Sequence, residues 1–60
     1  MLVELVETGT GVTLHINPTY VVTVRPDPVD PDHLSIVKIR DGESVRVQGY
    51  HENVAEKLRG

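Results

Sequence analysis

The sequence has no cysteine, no phenylalanine and no tryptophan, and its only phenol rings are Tyr20 and Tyr50. Without cysteine there is no disulfide and no thiolate metal site. Without phenylalanine or tryptophan the core must be built from valine, leucine and isoleucine. Long apolar runs are also missing, so no segment reads as a membrane span. The opening Met1-Leu2-Val3-Glu4 lacks the basic start and apolar stretch of a signal peptide. The expectation is a chain that folds in cytoplasm, or in a virion assembled there, without membrane insertion. A strong charge of either sign is absent too: the net charge is −3, which speaks against bulk binding to nucleic acid or to an anionic membrane.

Sixty residues make one domain, residues 1–60. A chain so short buries only about 60% of the surface its unfolded form exposes, and small domains usually need a staple. Disulfides and thiolate-held metals are excluded, so association is the remedy the composition favours.

What is present is β-rich. Residues 34–40 and 43–48 are two valine- and isoleucine-bearing runs joined by Asp41-Gly42. An Asp-Gly pair between such runs predicts a hairpin with a type I′ turn. Upstream, residues 2–7 and 12–16 flank Thr8-Gly9-Thr10-Gly11 and predict a first hairpin. Val12, Leu14 and Ile16 alternate with Thr13 and His15. Asn17-Pro18 breaks the run. Residues 19–25 read as a third strand, with Tyr20, Val22 and Val24 on one face and Val21, Thr23 and Arg25 on the other. Residues 26–32 hold three prolines and read as a loop. After Gly49, residues 51–59 predict a short helix that docks through Val54 and Leu58, with Gly60 as its cap. The expected fold is mainly β with one C-terminal helix, as a five-stranded antiparallel sheet or a partly closed small barrel.

This order of elements resembles the small flagellar FlbD family, also called SwrD. The matching residues are Leu14, Ile16 and Asn17, then Val22 and Val24, then Ile36, Asp41, Gly42, Val45 and Val47, then Glu52 and Val54. Two features depart from the pattern: Gly49-Tyr50 stands where the family starts its helix with a capping serine, and the Pro/Asp loop is longer. Short actinobacterial and phage proteins look similar. The resemblance implies a non-enzymatic protein with no catalytic residues to carry over, acting as a flagellar motor accessory or as a minor structural or capsid-decorating phage protein.

Candidate chemistry is sparse. Asp27, Asp30, Asp32 and His33 are the densest set of metal-ligand types, but their spacing is not that of an EF-hand and the prolines limit wrapping. A solvated acidic loop is the simpler reading. The three histidines, His15, His33 and His51, lack a nucleophile and an orienting partner in any recognisable pattern. No enzyme activity, cofactor or small-molecule substrate is implied. Arg25, Lys38 and Arg46 fall on outward faces of three successive strands and are candidate phosphate contacts. Solvated strand charges are the plainer reading. The sharper expectation concerns Val3, Val21, Val37 and Ile39. They are surplus to one apolar face and predict a second, docking face for a protein partner or another copy.

Overall fold

The computed structural model describes all residues, 1–60. Its elements are β1 (Val3–Val6), β2 (Thr13–Ile16), a 3₁₀ turn (Pro18–Tyr20), β3 (Val21–Pro26), β4 (Leu34–Ile39), β5 (Ser44–Gln48) and α1 (His51–Arg59). The mainly β reading with one C-terminal helix holds. The single five-stranded sheet and the partly closed small barrel do not. The strands form a two-stranded sheet, β1-β2, and a three-stranded sheet, β3-β4-β5, both antiparallel. The two meet at a single bridge, Glu7 with Val47, supported by the Thr8 N–H donating to the Arg46 carbonyl at 2.9 Å. Beyond it β1 and β5 diverge. Both sheets contribute to the surface that α1 covers, and the helix packs against β1, β3 and β4.

Turn chemistry fixes the first hairpin. The Glu7 N–H donates to Val12 O at 2.8 Å and the Gly11 N–H to Glu7 O at 3.0 Å, closing residues 8–11 into a tight loop. Val3 then opposes Ile16 and Leu5 opposes Leu14, so the apolar positions of both strands share one face.

The second hairpin turns differently from the type I′ expectation. Asp41 has a negative φ; only Gly42 is positive, at +89°. The Gly42 N–H donates to Ile39 O at 2.9 Å, and the Ile39 N–H to Glu43 O at 2.7 Å. Residues 40–42 therefore form a three-residue loop that ends in a glycine bulge, the next most common hairpin connection.

Before β3, the Asn17 side chain accepts the Thr19 N–H at 3.0 Å and starts the 3₁₀ turn, so Thr19 and Tyr20 belong to that turn and not to a strand. Within β3 the register shifts between Val21 and Thr23. That bulge spends one residue, Val22, without a partner. Val21 and Val24 then both pack against the core while Val22 is 57% exposed. The simple alternation expected for residues 19–25 fails at this point because a bulge resets the period of two.

The core consists of Val3, Leu5, Ile16, Val37, Val47, Val54 and Leu58, with Leu14, Val21, Val24, Ile39 and Val45 packed against it. Aliphatic branches replace the missing rings. The helix contributes Val54 and Leu58, four residues apart on one face.

Candidate functional site

The docking face expected from Val3, Val21, Val37 and Ile39 is the core itself. Val37 is 0% exposed and Val3 is buried, while Val21 and Ile39 pack on the same cluster. The correction has a physical origin. The chain folds its hairpin and its helix over one face of the three-stranded sheet, so a single interior takes more apolar side chains than one helix covers. The opposite face of β4 carries Leu34 and Ile36, both half-buried. Register places Arg25 and Arg46 on either side of Ile36.

Arg25, Lys38 and Arg46 do share a face. Arg25 and Arg46 both oppose Ile36, and Lys38 follows two positions along β4. They are not three equivalent cations. Arg46 Nε donates to Asp27 Oδ2 at 2.7 Å. The other Asp27 oxygen accepts the Val29 N–H at 2.8 Å. These bonds hold the Asp27 carboxyl below the usual carboxylate range, first through the Val29 amide and then through Arg46. Arg25 and Lys38 remain exposed and carry no ion pair.

The Pro/Asp loop is built by its own carboxylates. Asp27, 1% exposed, is committed to Val29 and Arg46. The Asp30 carbonyl accepts the N–H groups of His33 and Leu34 at 3.2 and 2.9 Å, and its carboxylate lies 3.0 Å from His33 Nδ1. That contact pushes the His33 pKa above its ordinary value, by hydrogen bonding first and by charge attraction second. No group of three or more metal-ligand side chains assembles in the loop or elsewhere.

Below the loop, the Ser35 hydroxyl, fully buried, donates to the Gly49 carbonyl at 2.7 Å, and the Gly49 N–H donates to His33 O at 2.7 Å. This knot sets where β5 ends and α1 begins. His15 is exposed on β2, and His51 sits in the first turn of α1. Neither approaches a serine by any hydrogen bond. The concavity where β1 and β5 diverge is lined by Glu4, Gln48, Asn53 and Lys57 around Leu5 and Val54.

Comparison with family models, with curated proteins and with solved structures finds no match to this chain. The two strands on the sides of the sheets away from the Glu7–Val47 bridge are β2 and β3.

Those strands, β2 and β3, differ. Asp27 N–H donates inward to Leu34 O at 3.0 Å. Backbone direction alternates along an antiparallel strand, so Arg25 also faces β4 while Val24 and Pro26 face outward. Proline has no N–H to offer there. A bulge, Arg25 and Pro26 together guard the outer side of β3, the usual devices that keep a sheet margin from pairing. β2 has none of them. Thr13-Leu14-His15-Ile16 contains no proline, no bulge and no lysine, arginine or carboxylate. Since Glu7 bonds inward to Val12, the same alternation turns the backbone of Thr13 and His15 outward. Both residues are exposed, and neither takes part in any backbone bond outside the β1-β2 ladder. The Val12, Thr13, Leu14, His15, Ile16 alternation was visible in the sequence; its position at an unguarded margin was not.

No helix is long and apolar enough to cross a membrane.

Proposed function

We propose that this chain is a non-enzymatic assembly module that accepts a β-strand along the open side of β2. The observation that carries the reading is the asymmetry of the outer strands. One carries a bulge, an arginine and a proline on either side of the outward-turned backbone of Val24; the other presents the N–H and C=O groups of both Thr13 and His15 unpaired, with no such device. Strand addition supplies affinity through main-chain bonds and specificity through alternate side chains. The exposed Val12, at the start of the same run, adds apolar surface for a partner strand to cover. The absence of cysteine and the small aliphatic core add a thermodynamic reason, since a domain this size gains stability from anything that binds only its folded form. The flagellar-type resemblance supplies two settings for such a module, a motor accessory or a minor subunit of a phage particle.

The test is a photo-crosslinking amino acid placed singly at Thr13 and at Thr23, one exposed threonine on each outer strand. In cells making the chain at its native level, a protein adduct is expected from position 13 and not from 23. Adducts at 23 alone, or at neither, overturn the reading.

A further inference from the structure

We infer that the strand received by β2 is β2 of a second copy, paired antiparallel about a two-fold axis at Leu14. The inference rests on the strand-addition reading above and names its partner. An antiparallel neighbour must bond to the outward residues, Thr13 and His15. Three symmetric alignments meet that condition within the strand. Centred on Thr13, the pairing sets Ile16 against Thr10 of the copy. Centred on His15, it sets the two imidazoles opposite each other and Val12 against Pro18. Centred on Leu14, it joins Thr13 of each chain to His15 of the other in reciprocal hydrogen-bonded pairs. It also sets Leu14 against Leu14 and Val12 against Ile16.

Only this last alignment uses both outward residues of each copy on one another and matches every apolar residue of the run with an apolar one. Val12, 53% exposed, gains cover from Ile16 of the copy, and the half-buried Leu14 gains its own counterpart. No formal charge of like sign is brought face to face, because β2 carries no lysine, arginine or carboxylate, and each His15 opposes a threonine. The two hairpins become one sheet in the order β1-β2-β2-β1. An interface of this kind is isologous: the same patch serves both chains.

The lack of cysteine makes the test clean. Facing residues in a non-hydrogen-bonded antiparallel pair have Cα atoms about 4.5 Å apart, within the span a disulfide bridges. Under mild oxidation, Leu14→Cys is expected to give a species of twice the 6.7 kDa chain mass. Thr13→Cys and His15→Cys, each offset from its own counterpart by two residues, are expected to stay single. Because a thiol at a half-buried leucine can disturb folding, amide exchange on the unsubstituted protein supplies the second measurement. Exchange at Thr13 and His15 should slow at least about tenfold as concentration rises from micromolar to millimolar. The amides of Leu14 and Ile16, bonded to β1, should already be protected at micromolar concentration. A wild-type protein whose exchange at Thr13 and His15 ignores concentration, together with an unlinked Leu14→Cys, overturns the two-fold pairing. If the photo-adduct at position 13 then contains a different protein, strand addition stands without the second copy. If there is no adduct, both readings fall.

Discussion

Arg46 Nε lies 2.7 Å from Asp27 Oδ2, joining the middle of β5 to the first residue after β3. The pair ties the start of the Pro/Asp loop to the sheet and takes one of three aligned cations out of circulation. Its sign with pH is definite. The folded pKa of Asp27 is depressed, so its contribution is present above the unfolded value and is lost as pH falls through the folded one. Thermal melts between neutrality and about pH 2 should show stability falling on the acid side. Asp27→Asn should lower the melting temperature at neutral pH and flatten that acid limb. An unchanged limb would assign it to other carboxylates.

His33 has the opposite sign. Its pKa is raised by Asp30, so the contact helps below the unfolded value and is lost as pH rises through the folded one. The pair is largely exposed, so its effect on stability is small. The visible consequence is the titration itself. By NMR the His33 midpoint should lie above about 6.5 and return there in Asp30→Asn.

Val37 sits at 0% exposure in the core. Val37→Asp should therefore abolish folding, not merely association, and the far-UV circular dichroism should lose its β signature at any concentration. Leu5→Ala should cost about 2–5 kcal/mol, comparable with the whole stability expected of a domain this small. A folded Val37→Asp monomer would show the core assignment to be wrong.

Two glycines should respond unequally to alanine. Gly42 has φ +89° with open space around a Cβ, so Gly42→Ala should cost about 1–2 kcal/mol from backbone strain. Gly49 has φ +121°, and a Cβ there would lie 3.0 Å from Val54 Cγ2. Its carbonyl and N–H also hold Ser35 and His33. Gly49→Ala should thus be the more destabilising in urea titrations. Equal midpoints would show that the Ser35 knot yields easily.

Nucleic-acid binding should be weak, because only Arg25 and Lys38 of the basic row are free on a chain of net charge −3. Fluorescence anisotropy with a labelled single strand should give a salt slope well short of three phosphate contacts, about 2.1 on log axes. A steeper slope, abolished by Arg25→Ala, would restore the basic row as a binding site.

Much of the architecture was legible where a single local rule governed it. The helix His51–Arg59, the Asn17-Pro18 break and both hairpins follow from periodicity and turn residues. Misreadings arose where one residue changed the phase. Val21 and Val22 carry the same letter, so nothing in the sequence says which one the bulge leaves out. That slip, and the folding of hairpin and helix onto one side, turned two core residues, Val3 and Val37, and two packed against them, Val21 and Ile39, into an apparent docking face. Asp27 was equally opaque: its partner is nineteen residues away, and an aspartate flanked by prolines reads as solvated loop. The open margin of β2 was hidden for another reason. Strand order is a property of the whole chain, and no local pattern states which strands end a sheet.

Pro26 bears on how large any assembly can grow. A subunit receptive on both flanks adds copies without limit and ends as a fibre. Here one flank carries a ring nitrogen in place of a donor. The margin of β3 thus lacks a donor that a repeated pairing would need, while a two-fold pairing at β2 consumes the same margin on both copies.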